Sequence, residues 1–204
     1  MRELDGGTDR ILTLPNAITV VRLALLPVFL WLLFGQDDRA KAGALLAFLG
    51  ATDFLDGYIA RRYHQISDLG KVLDPVADRL LFFVGVGGIL LDGSVPAWFA
   101  IAVLTREALV AVATLALAAF GAKRIDVTWY GKAGTCFLMI SFPSFLAAAS
   151  TVGWADQAVT LAWVTGIPGL ALGWYSALLY VPLARQALRD GRAKNTDAPV
   201  PSAS

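Results

Sequence analysis

Asp53, Asp56, Gly57, Ala60 and Arg61, followed by Gly70, Asp74 and Asp78, are the residues whose types and spacing could do chemistry. Asp53, Asp56, Gly57 and Ala60 stand at i, i+3, i+4 and i+7, one face of a helix, and Asp74 and Asp78 at i and i+4 share a face of the next. The flanking stretches 40–52 and 80–91 are almost entirely apolar. Both acidic helices therefore run into hydrocarbon, where a carboxylate is costly unless a metal, a partner charge or water compensates it. An oxygen-only donor set favours Mg²⁺ or Mn²⁺, which combine carboxylates with substrate phosphates. Gly57 and Ala60 keep side chains away from the acids and permit close approach of a ligand or another helix.

Two other readings fit the same residues less well. Buried salt bridges among Asp53, Asp56, Arg61 and Arg79 would need more bases than these faces carry, because like charges in a low-dielectric site repel. An ion pathway would distribute its acids across the membrane, whereas these cluster toward one end.

The elements that must position the acids are membrane helices. The 204-residue chain is 57% hydrophobic and 16% charged, with a mean hydropathy of +0.63, too apolar for an ordinary soluble domain. One cysteine, Cys136, excludes an internal disulfide, and a single histidine, His64, excludes histidine-rich zinc and haem sites. The N-terminal segment lacks a cleavable signal pattern. Apolar stretches at 17–35, 40–60, 72–91, 97–120, 134–151 and 158–182 meet or approach the ~20 residues needed to cross a bilayer. The expected fold is all-α and polytopic, a single six-helix transmembrane catalytic domain over 1–194 with a disordered tail over 195–204 rich in Pro, Ala and Ser. Pro27 and Pro182 are expected to kink or thin the first and sixth helices.

Lysine and arginine orient it. Placing both termini, the 61–71 and 121–132 loops and, near the start of the third span, Arg79 on one side gathers 13 of the 17 basic residues there. Only Arg39 and Lys41 fall opposite, and Arg22 and Arg106 lie within spans. The bias puts both termini and the acidic cluster at the cytoplasmic side of a cell membrane.

The pattern D-x2-D-G-x2-A-R-x8-G-x3-D-x3-D is met at every position, and the chain resembles the CDP-alcohol phosphatidyltransferase family. The likeness extends over the six-span layout and Leu14-Pro-Asn-Ala-Ile-Thr-Val-Val-Arg22. It implies a membrane-embedded homodimer with two divalent ions, moving a phosphatidyl group from CDP-diacylglycerol to an alcohol and releasing CMP, with no nucleic-acid partner. Carried over, Asp53, Asp56 and Asp74 would hold metal. Asp78 would be the general base and also touch the second metal. Gly57, Ala60 and Gly70 would border the cytidine and Arg61 would contact the diphosphate of CDP-diacylglycerol.

The acceptor is read from two further stretches. Thr105-Arg106-Glu107 and Val127-Thr-Trp-Tyr-Gly131-Lys132-Ala-Gly-Thr135 resemble segments of bacterial phosphatidylglycerophosphate synthases. That likeness makes glycerol 3-phosphate the leading acceptor, its phosphate met by Arg106 and Lys132. Alternatively Arg106 pairs with Glu107 for folding and Lys132 is an interfacial anchor. Gly134 stands where those synthases carry a second lysine, and the arginine they have downstream of Arg106 is missing. A less basic pocket suits phosphatidylglycerol, the acceptor of the related cardiolipin synthases. A non-enzymatic membrane scaffold is the alternative of a different class.

Overall fold

The computed structural model describes residues 14–63, 68–119 and 128–196, with side chains over 17–52, 77–115 and 128–179. Six α-helices follow one another: α1 Leu14–Leu30, α2 Arg39–Tyr63, α3 Asp68–Asp92, α4 Ala97–Ala119, α5 Trp129–Ala148 and α6 Ala155–Thr196. The expected 195–204 tail lies, from residue 197, outside the described residues.

Among the described residues, four stretches are long and apolar enough to cross a membrane: Ala17–Gly35, Ala97–Leu115, Trp129–Ala148 and Ala155–Leu179. The chain is thus a multi-pass, all-α membrane protein. The α2 and α3 helices have spanning length, 25 residues each, or ~37 Å. Their apolar runs lead into the acidic and basic residues of 53–79. The apolar surface turns outward: Leu91, Val112, Leu115 and Leu178 are all exposed, as lipid-facing side chains must be.

In lipid, apolar burial between helices gives little drive, so close packing and interhelical hydrogen bonds hold a bundle together. An aromatic cluster supplies the packing: Phe99 lies 5.9, 5.6 and 5.7 Å from Phe142, Phe145 and Trp163. Trp98 stacks on Trp163 at 5.9 Å. Ser141 Oγ donates to Ala162 C=O at 2.8 Å and ties α5 to α6.

The helix ends are specified locally. Pro27 lies inside α1, and the chain then widens into a turn over Trp31–Gly35, where Gln36 N–H reaches back to Trp31 C=O at 2.9 Å. Asp38 caps α2 by accepting from Lys41 N–H at 2.9 Å. The Lys41 ammonium beside it holds the Asp38 carboxyl below the usual carboxylate range. Arg39 makes a two-point contact with the Asp92 carboxylate at 3.0 and 3.1 Å, latching the start of α2 to the end of α3. Asp92 also accepts from the Ser94 hydroxyl.

The fifth helix begins earlier than its hydropathy indicates. Thr128 Oγ1 accepts from Gly131 N–H at 3.3 Å and contacts the Ser176 hydroxyl at 2.6 Å. The cap fixes the start of α5 at Trp129 and pins it to α6. Gly131 and Lys132 therefore stand in the first turn of a helix, where the sequence suggested a loop leading into the span.

Candidate active site

Asp53, Asp56, Gly57, Ala60 and Arg61 lie in the second half of α2, and Gly70 and Asp74 in the first half of α3. Their side chains are outside the described residues. The helix bounds place Asp53 ten residues before the end of α2 and Asp78 ten residues after the start of α3, each ~15 Å from the connection between the two helices. Asp56 and Asp74 lie closer to it, within a residue of each other in distance along their helices. The acids thus occupy equivalent depths on consecutive, oppositely running helices.

Asp78 is the one member whose side chain is described. Its carboxylate is 47% exposed and accepts from Arg22 Nη1 at 3.0 Å, whereas the Arg22 side chain is 5% exposed. A buried cation on α1 therefore holds one oxygen of a half-exposed carboxylate. Arg79, the next residue, has a buried Nη1 with no hydrogen-bond partner. A guanidinium nitrogen so placed favours an anion nearby.

Two cavities share this neighbourhood. The smaller, about 200 Å³, is lined by Arg22, Asp78, Arg79 and Glu107 among apolar residues. The larger, about 1080 Å³, is bounded at its charged end by Arg79, Arg106, Glu107 and Lys132, and otherwise by small or apolar side chains of α2, α4, α5 and the α5–α6 connection. Three cations against one acid make that end attractive to phosphates. Arg79 and Glu107 belong to both cavities.

The structure brings Arg106 and Lys132 to the same cavity, and also shows the ion pair of the folding alternative. Arg106 is 8% exposed. Its Nε donates to Gly173 C=O of α6 at 3.1 Å, and its Nη1 to Glu107 Oε2 at 2.6 Å. A cation at this depth needs such partners, and they engage its Nε and Nη1. Lys132 is exposed.

Gly134 explains why no second lysine follows Lys132. A Cβ there would stand 3.0 Å from both Gly169 C=O and Gly173 N, so α5 and α6 meet backbone to backbone. The same Gly173 supplies the carbonyl that holds Arg106. A small-residue pattern on α6 (Gly166, Gly169, Gly173) was the signal in the sequence for this contact.

Among the described residues no group of three or more His, Cys, Asp or Glu side chains is gathered for a metal. The chemistry of the acidic donors, four carboxylates with no soft ligand among them, fits Mg²⁺ or Mn²⁺. Arg22, Arg79 and Glu107 are contributors that the motif did not name.

Residues 12–168 match the CDP-alcohol phosphatidyltransferase family. The chain is 38% identical over 195 residues to the cardiolipin synthase (CMP-forming) of Streptomyces coelicolor, covering 93% of this chain and 90% of that protein. A putative cardiolipin synthase of Mycobacterium tuberculosis is 37% identical over 84% of this chain and 82% of its own length. A probable phosphatidylglycerophosphate synthase of the same species is 34% identical, with 81% and 84% covered.

Proposed function

Within the CDP-alcohol phosphatidyltransferases, the family to which this chain belongs, we propose that it uses phosphatidylglycerol as acceptor and forms cardiolipin. The observation that carries this reading is the commitment of Arg106 to Gly173 C=O and Glu107. A glycerol 3-phosphate dianion calls for a cluster of available donors. Here two of the arginine's nitrogens are engaged by Gly173 C=O and Glu107, and the backbone contact at Gly134 leaves no space for another lysine. The stronger similarity to cardiolipin synthases supports the same choice. Glycerol 3-phosphate, which the sequence favoured, is the second reading, kept by the presence of Arg106 and Lys132 on one cavity.

In this reaction the free primary hydroxyl of phosphatidylglycerol attacks the β-phosphorus of CDP-diacylglycerol. The new P–O bond forms as the bond to the bridging oxygen breaks, and CMP leaves. Asp78 takes the hydroxyl proton, its carboxylate oriented by Arg22. Arg61 meets the diphosphate, and Gly57, Ala60 and Gly70 admit the cytidine. Asp53, Asp56, Asp74 and Asp78 would hold two divalent ions. When bound, these supply charge neutralisation for the diphosphate. Six crossings, with α2 and α3 included, both termini and the acids toward the cytoplasm, and a homodimer complete the proposal.

The test is incubation of the purified protein with CDP-diacylglycerol, Mg²⁺ or Mn²⁺, and each acceptor separately. Cardiolipin from phosphatidylglycerol and no phosphatidylglycerophosphate from glycerol 3-phosphate is the expected outcome; the reverse assigns the other acceptor.

A further inference from the structure

The larger cavity extends far beyond its charged end. From Gly131 to Ala147 it follows α5, ~24 Å by helical rise, a large part of the ~30 Å hydrocarbon core. Its α2 wall is built at helical spacing from Ala40, Ala44, Ala47 and Ala51, with no side chain longer than a methyl. Cys136 and Ile140 on the α5 wall are exposed. The floor is closed where α2 and α5 touch: a Cβ on Gly43 would lie 3.1 Å from Leu146 Cβ. This is a lane open to the lipid phase, apolar along its length and cationic at one end.

We propose that this lane seats a fatty chain of the acceptor lipid, with the anionic phosphodiester of phosphatidylglycerol at Arg79 and Lys132. It rests on the reading that phosphatidylglycerol is the acceptor, and adds where that lipid lies and how it enters. Dimensions and charge both favour this occupant. About 1080 Å³ spread along ~24 Å of helix leaves room for polymethylene chains over the whole length of the lane. The charged end favours a headgroup of net negative charge beside the apolar segment, which phosphatidylglycerol carries and a zwitterionic lipid such as phosphatidylcholine lacks. Lateral entry also removes the need to lift an acceptor with two fatty chains through water. Arg106 and Glu107, at the inner end, then border the glycerol whose free hydroxyl must reach Asp78.

The single native cysteine makes the lane testable without turnover. Cys136 lines it and is exposed. In the full chain in detergent micelles with metal chelated, dioleoyl-phosphatidylglycerol should slow maleimide alkylation of Cys136 about tenfold relative to dioleoyl-phosphatidylcholine, when lipid exceeds its dissociation constant about tenfold. CDP-diacylglycerol should leave the rate within about twofold of that control. Ala47→Leu should abolish the protection and raise the KM for phosphatidylglycerol, and Ala44→Leu, a separate obstruction, should do the same. Equal rates in the two dioleoyl lipids overturn the proposal, as does protection by CDP-diacylglycerol alone, which gives the lane to the donor. Protection that is already present without added lipid and disappears on dilution to monomer assigns it to a second copy and also overturns it. Cardiolipin synthesis without protection refutes the lane and leaves the acceptor reading standing. Protection without cardiolipin synthesis refutes the acceptor reading and the proposal with it.

Discussion

Arg22 of α1 and Asp78 of α3, 56 residues apart in the chain, meet at 3.0 Å with the arginine buried and the carboxylate half exposed. The desolvation burden falls on Arg22, so its main contribution is to aim Asp78. Arg22→Met keeps the volume and removes the buried charge. It should change stability in detergent by no more than about 1 kcal/mol, since the carboxylate left behind is half exposed and stays solvated instead of being stranded as a buried charge. Turnover should fall about 10–100-fold, as when a carboxylate at a metal site loses its orienting partner. A large stability loss with normal turnover per folded molecule would assign Arg22 to folding alone.

Asp78→Asn retains an oxygen and loses the proton acceptor. Turnover should drop by about 10²–10⁴-fold, more if the residue also holds metal. CDP-diacylglycerol binding, followed by equilibrium dialysis or nucleotide-lipid quenching, should survive in part. Near-normal turnover removes Asp78 from the role of base.

Gly134→Ala forces a methyl into a gap that is 3.0 Å wide to Gly169 C=O and Gly173 N. Thermal unfolding in detergent should report a loss of about 1–3 kcal/mol. Gly134→Lys should cost more and should not confer use of glycerol 3-phosphate, because the position points into α6 and away from the acceptor. A folded, lysine-bearing variant that makes phosphatidylglycerophosphate would contradict this.

Chelation should reduce activity to background, and Mg²⁺ or Mn²⁺ should restore it. Four acids at matched depth repel one another without cations. The same ions should raise the thermal midpoint of the wild type and not of Asp53→Ala or Asp56→Ala. Full activity after exhaustive chelation favours the salt-bridge alternative.

The acidic motif and the helices around it were legible in the sequence because both are local: fixed spacing over two helices and sustained apolar runs. The acceptor side was less so, for reasons visible in particular residues. Gly134 looked like a missing lysine, and it is a backbone contact with α6, set by Gly169 and Gly173 more than thirty residues away. Arg106 looked free to take a phosphate, and the carbonyl that engages it belongs to that same distant helix. Thr128 carried resemblance only, and its cap and its Ser176 partner decide where α5 begins. Each depends on a contact between helices, which periodicity along one helix does not encode.

Acceptor choice is tested most directly by competition. Wild-type protein is given CDP-diacylglycerol, divalent metal, and equal concentrations of phosphatidylglycerol and glycerol 3-phosphate, with the labelled phospholipid products separated and counted. Cardiolipin as the dominant product, formed with an equal amount of CMP, is the expected result. Phosphatidylglycerophosphate as the dominant product would contradict it and would mean that Arg106, despite its bonds to Gly173 and Glu107, binds the acceptor's phosphate.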